Sequence, residues 1–240
     1  MRRRLLLAVA LLGLTPTAPR QSAPELWLWA WEHPQDLRFV HPQTGIAFLA
    51  ETVELRPSGI VSHPRRQPLL VRPGQRLVAV VRIEFDANDV PVPDPAVRKA
   101  IAARVRRAAR LPGVQGVQID FDANTSQRHA YALLLRELRR TLPDGIALSM
   151  TALASWCQGD TWLDVPVDEV VPMLFEMGPE GREIRRYVER NGGLRSPRCR
   201  DSVGQMVGRP WVASSARRIF VFHRGPWTEV AYARVRRRLG

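Results

Sequence analysis

Apolar and polar positions alternate along eight short runs of the chain, and in its later half helical stretches separate them. The runs are 25–32 (ELWLWAWE), 45–55 (GIAFLAETVEL), 76–85 (RLVAVVRIEF), 114–122, 146–154 (IALSMTALA), 167–175 (VDEVVPMLF), a weak one within 199–212, and 218–223 (RIFVFH). Side chains on a strand alternate between faces, so each run has two faces to place. Between the later runs, apolar positions return with the helical period. Asp94-Pro95 reads as an N-cap followed by a first-turn proline. Val97, Ile101, Val105 and Ala108 form the apolar stripe of that helix. Thr125-Ser126 reads as the cap of a second helix, with Tyr131, Leu134, Leu135, Leu138 and Leu142 turned inward. A third helix runs over 180–191 and stops at Gly192-Gly193. The stretch Arg56 to Gly74 is rich in proline and arginine, has no helical period and reads as a long loop. The alternation predicts an α/β fold, a (β/α)8 TIM-like barrel over residues 24–240, with its first helices short or missing.

The run over 114–124 (VQGVQIDFDAN) departs from an ordinary covered strand. Val117, Ile119 and Phe121 share an apolar face, while Gln118, Asp120 and Asp122 share the other. In a sheet covered on both sides, such a polar face is costly unless it lines a cavity. An ordinary half-exposed strand is the plainer alternative. The third run repeats the pattern, with Arg82 and Glu84 on one face near its carboxyl end. An internal Arg82–Glu84 pair is the structural alternative to a place in the same pocket.

Barrel active sites lie at the carboxyl ends of the strands. That rule gathers Glu32, Glu84, Asp120, Asp122, Trp156, Glu176 and His223 around one mouth. Trp27, Trp29 and Trp31 share a face of the first run, as core side chains or as a stacking platform for sugars; Trp31 is the nearest to the strand end.

The runs GVQIDFDANTSQR, LSMTALASWC, PVDEVVPMLFEMG and FVFHRGPW resemble a bacterial family of exported proteins, domain of unknown function DUF3142. A more distant resemblance is to chitinase-like glycoside hydrolases, whose fourth barrel strand reads D-G-x-D-x-D-x-E. Here that frame is Gln115-Gly116-Val117-Gln118-Ile119-Asp120-Phe121-Asp122. Asp120 keeps the third acidic position, Asp122 stands at the acid/base glutamate, and Gln115 and Gln118 replace the first two aspartates. The sixth-strand motif M-x-Y-D is Met173-Leu174-Phe175-Glu176, with no tyrosine hydroxyl. The resemblance implies a barrel enzyme acting on a polysaccharide or cell-envelope glycan. Its catalytic candidates are Asp122, Asp120 and Glu84. Its substrate-binding candidates are Arg82, Gln118, Trp156, Glu176, His223 and Trp227. The alternatives are a non-catalytic carbohydrate-binding barrel using Trp156, Trp162 and Trp227, and a structural envelope protein.

Charge and cysteines refine the setting. Residues 1–23 hold Arg2-Arg3-Arg4 followed by an apolar run, Leu5 to Leu14, the form of a signal peptide or N-terminal anchor. The apolar run is short against the roughly 20 residues of a membrane span. Export to the periplasm or beyond is therefore expected. The chain's net charge is +13, with Lys99 its only lysine, and loss of the four arginines in the leader would leave +9. A basic balance fits nucleic acid or an anionic surface, but export argues against a nucleic-acid partner. Cys157 and Cys199 either pair in an oxidising compartment or stay as two buried thiols. No metal site and no cofactor are expected from two cysteines without a nearby histidine cluster.

Overall fold

The computed structural model describes residues 23–85, 92–159 and 161–240. The leader-like segment, apart from Ala23, lies outside the described residues. The strands are β1 (Glu25–Ala30), β2 (Gln35–Asp36), β3 (Gly45–Arg56), β4 (Gly59–Pro64), β5 (Leu69–Leu70), β6 (Leu77–Phe85), β7 (Val114–Phe121), β8 (Ala147–Leu153), β9 (Glu169–Met173), β10 (Ser202–Met206) and β11 (Arg218–Phe222). The helices are α1 (Pro95–Ala108), α2 (Arg128–Thr141), α3 (Gly181–Asn191) and α4 (Glu229–Leu239).

Eight strands pair in parallel in the order β1-β3-β6-β7-β8-β9-β10-β11, and β11 pairs back with β1. The sheet is thus a closed barrel. α1, α2 and α3 fill the crossovers after β6, β7 and β9, and α4 follows β11. The first two crossovers have no helix, as the sequence pattern predicts. The β8–β9 crossover has only short 3-10 turns, and β10 passes to β11 without a helix.

Two elements differ from the sequence reading. Residues 56–74 are not a plain loop. β4 folds back antiparallel on β3, from Glu51 opposite Pro64 to Arg56 opposite Gly59, and β5 pairs with β2. The hairpin turns at Gly59, whose φ of 130° suits a residue without a Cβ. Thr125-Ser126 does not cap α2 either. That helix is preceded by Gln127, and the Asn124 side chain accepts from Ser126 Oγ and the Gln127 backbone NH.

Apolar residues form two clusters. Trp27, Trp29, Ala47, Leu49, Val80, Val171 and Phe220 fill the barrel lumen. A larger cluster, including Val117, Ile119, Phe121, Ile101, Val105, Leu134 and Leu138, lies between barrel and helices. The tryptophans need room in the lumen. A Cβ on Gly45 would stand 2.2 Å from the Trp27 ring, and one on Gly204 would stand 2.8 Å from Trp29. Glycine at those two positions therefore admits the indoles.

Candidate active site

The alternation along β7 decides which side chains reach the lumen. Val117, Ile119 and Phe121 pack outward under the helices. Gln118, Asp120 and Asp122 turn inward, at successively higher levels. Gln118 sits lowest and is fully buried. It accepts from Trp29 Nε1 at 2.7 Å and donates to Ser149 Oγ at 3.0 Å. Ser149 Oγ donates in turn to Glu169 Oε2 at 3.0 Å, and Arg218 closes on Glu169 Oε1 at 2.7 Å. This column satisfies the buried polar groups of Trp29, Gln118 and Ser149 and runs on to Glu169 and Arg218, which border a recess at the opposite end of the barrel. Gln118, expected from the sequence to bind substrate, is therefore part of the barrel's filling and does not line the cavity above it.

Above that layer the lumen opens into a cavity of about 170 Å³ at the carboxyl ends of the strands. Trp29, Trp31, Met173, Phe175 and Phe222 make its apolar wall, and Arg82, Asp120, Asp122, Thr151 and Glu176 its polar one. Phe222 stacks on Phe175 with ring centroids 6.1 Å apart and meets Trp31 edge-on at 5.5 Å.

Asp120 is held on two sides. Thr151 Oγ1 donates to its Oδ1 at 2.7 Å, and Arg82 Nε lies 3.9 Å from its Oδ2. Burial raises its pKa, while Thr151 and Arg82 oppose the rise. Asp122 opens to solvent at the mouth, yet loss of hydration on its inner sides dominates. Together with the charge of Asp120, and that of Glu176, it pushes the Asp122 carboxyl up to about 6, against Arg82. The charge of Asp120 thus disfavours ionisation of Asp122, which holds its proton to higher pH than an ordinary aspartate.

Glu84 stands across Arg82 from the aspartates. It takes Arg82 Nε at 2.7 Å and borders a neighbouring recess, not the cavity. Glu176 reaches the cavity from the end of β9 as an exposed carboxylate, 3.8 Å from Arg224. Trp156, Trp227 and His223, expected from the sequence to bind substrate, do not line the cavity. Trp156 is buried between barrel and helices, packed edge-on against Trp162 at 4.7 Å. Trp227 is buried as well, its Nε1 donating to the Trp29 carbonyl at 2.8 Å. His223 turns away from the cavity, with Nδ1 2.8 Å from the Gly225 carbonyl and its ring against Trp227. Phe222 takes the inward position on that strand. Trp156 and Trp227 are buried, Trp162 is half-buried and packed against Trp156, and none of the three lines the cavity.

Thr151, Met173 and Phe222 escaped the sequence reading. Each lies on the inward parity of its strand, and Ser149 with Thr151 repeats on β8 the polar alternation that marked β7. Among the described residues, no group of three or more His, Cys, Asp or Glu side chains is placed to hold a metal ion.

The lumen chemistry can be set beside known proteins. The barrel is similar to the spore cortex-lytic enzyme SleL of Bacillus cereus, with a TM-score of 0.52 and 16% identity over 79% of this chain and 52% of that one. The chain thus spans about half the length of SleL, and the likeness is one of fold. A second similar structure is the chitinase domain of the spore coat protein CotE from Clostridium difficile, at a TM-score of 0.43 and 16% identity, covering 71% of this chain and 57% of that one. No curated protein matches the sequence significantly. The stretch from residue 73 to 171, which carries Arg82, Asp120, Asp122 and Thr151, matches the family described as domain of unknown function, DUF3142.

Proposed function

We propose that this protein is an exported enzyme of glycoside-hydrolase type, acting on a cell-envelope glycan, with Asp122 as its general acid. One observation carries the reading: two carboxyls side by side at the end of one barrel strand, in a cavity with aromatic walls, where burial and the charge of its neighbour push the outer one up to about 6. A carboxyl with that pKa keeps its proton where an ordinary aspartate has lost it. It can then protonate the glycosidic oxygen as the bond breaks. Glycoside hydrolysis commonly takes a second carboxyl at the bond, and Asp120 and Glu176 border the same cavity. Asp120 also sets the protonation of Asp122 through its charge. The aromatic side chains exclude water and offer apolar faces to a sugar ring. The leader-like segment and the Cys157–Cys199 bridge support export.

The test is release of reducing ends from peptidoglycan and a panel of envelope polysaccharides near pH 5.5, by the parent and by Asp122→Asn. Turnover by the parent that collapses in the variant supports the reading. Full rate in Asp122→Asn removes Asp122 from the mechanism, and no turnover on any glycan removes the reading itself.

A further inference from the structure

Beside the cavity lies a second recess of about 520 Å³ at the same end of the barrel, and Trp31 and Arg82 border both. Its outer wall is the β3–β4 hairpin. At about 170 Å³ the cavity alone falls below the roughly 300–1,000 Å³ usual for ligand pockets; cavity and recess together fall within it.

A local defect in β3 makes this wall. The pairing of β3 with β6 shifts register between Leu49 and Glu51, so β3 carries one extra residue there. Ahead of the bulge, Ala47 and Leu49 fill the lumen while Phe48 and Ala50 pack outward. Beyond it the parity is reversed. Glu51 turns outward, where Ser62 Oγ donates to it at 2.5 Å and Arg104 Nε lies 3.7 Å away. Thr52 turns into the recess. Bulges commonly re-aim side chains beside active sites in this way. The hairpin is also tied to the strand end that carries Trp31. Arg65, just after β4, donates to the carbonyls of Trp31 at 2.8 Å and His33 at 2.6 Å. Recess and cavity are therefore held in a fixed relation.

The recess lining carries charges of both signs: Arg66 and Arg82 with Glu32 and Glu84, and His63 beside them, with Arg82 already paired with Glu84. Thr52 adds a short hydroxyl. A lining of mixed charge sign with short hydroxyls suits a hydroxyl-rich, uncharged group, which exchanges hydrogen bonds with it and adds no charge of its own.

We infer that the recess is a second glycan subsite, and that the ligand is an oligosaccharide running from the cavity past Trp31 into the hairpin recess, with an uncharged unit there. This rests on the glycan reading above.

Calorimetric titration of the full chain, with Asp122→Asn to stop turnover, tests it. The probes are β-1,4-linked oligomers of N-acetylglucosamine and of glucose, one to six units long, with uronic-acid oligomers as the charged comparison. Affinity should rise about tenfold or more from one unit to three in an uncharged series. Thr52→Tyr, which projects a phenol ring into the recess, should abolish that rise and leave binding of the single sugar unchanged. Arg66→Ala, at an exposed position, gives a second variant that should weaken only the longer oligomers, with melting temperature as the check on folding. Equal affinity for all lengths, or a rise that both variants keep, would overturn the subsite while the glycan reading stands. A rise seen only with the uronic acids would overturn the uncharged class. Failure of every oligomer to bind, together with no hydrolysis of envelope glycans, would remove the glycan reading and this inference with it.

Discussion

Thr151 on β8 donates its hydroxyl proton to Asp120 on the neighbouring β7, at 2.7 Å. The donor favours the ionised form of a carboxyl whose pKa burial raises. Thr151→Val keeps the shape and removes the donor, so the Asp120 carboxyl should rise further. If turnover needs Asp120 ionised, the acidic limb of the pH–rate profile should move to higher pH. Thr151→Ser should restore the parent's profile. An unmoved limb in Thr151→Val would separate Asp120 ionisation from the reaction.

Asp122 supplies the opposite limb. With its carboxyl at about 6, activity should decline as pH rises through that value and the acid loses its proton. Asp122→Asn should lower the rate by roughly 10²–10⁴-fold, the usual scale for a general acid.

The same shift makes a statement about stability. The folded pKa of Asp122 lies above its unfolded value of 3.8. Its favourable contribution is therefore full below about pH 4 and is lost as pH rises through about 6. Asp122→Asn does not titrate. Its melting temperature should match the parent's near pH 4 and exceed it at pH 7. Melting curves at the two pH values decide this, and a variant less stable than the parent at pH 7 would contradict the raised pKa.

Gln118 separates filling from function. Gln118→Leu would leave Trp29 Nε1 without its acceptor inside the barrel. A buried donor left unpaired costs about 1–3 kcal/mol, and each kcal/mol lowers the melting temperature by roughly 2–4 °C in a chain of this size. Glycan affinity should be unchanged. A loss of affinity without a loss of stability would return Gln118 to the binding site.

The barrel and the polar face of β7 were legible because both rest on strand parity. Period two places Asp120 and Asp122 beside each other, and the helical stripes around them show that both sheet faces are covered. The bulge in β3 was not legible. The extra residue at Ala50 leaves no mark in an apolar run, so neither the reversal that aims Thr52 nor the hairpin wall could be read. Trp156 misled for a related reason. It follows the end of β8 and so belongs to the mouth by position. But the chain enters a 3-10 turn over Ala154–Gln158, which carries the indole under the helical layer. Position along a strand predicts direction only while the strand lasts.

The Cys157–Cys199 bridge settles an alternative the sequence left open, with Cα atoms 6.0 Å apart. It joins the 3-10 turn after β8 to the one before β10 and closes a loop 42 residues apart in sequence. That loop contains β9, α3 and the strand end bearing Phe175 and Glu176. In the chain-entropy account, a bridge of this span stabilises by about 4 kcal/mol, because it restricts the unfolded chain. Reduction, or the Cys157→Ser/Cys199→Ser double variant, should lower the melting temperature, and each should make the other redundant. The cavity wall contributed by β9 should loosen as well, so any glycan affinity should fall along with stability. Thiol titration gives an independent reading: protein recovered from outside the cytoplasm should show no free thiols until it is unfolded and reduced. Two reactive thiols in that material, or a melting temperature indifferent to reductant, would rule the bridge out and remove one of the two supports for export.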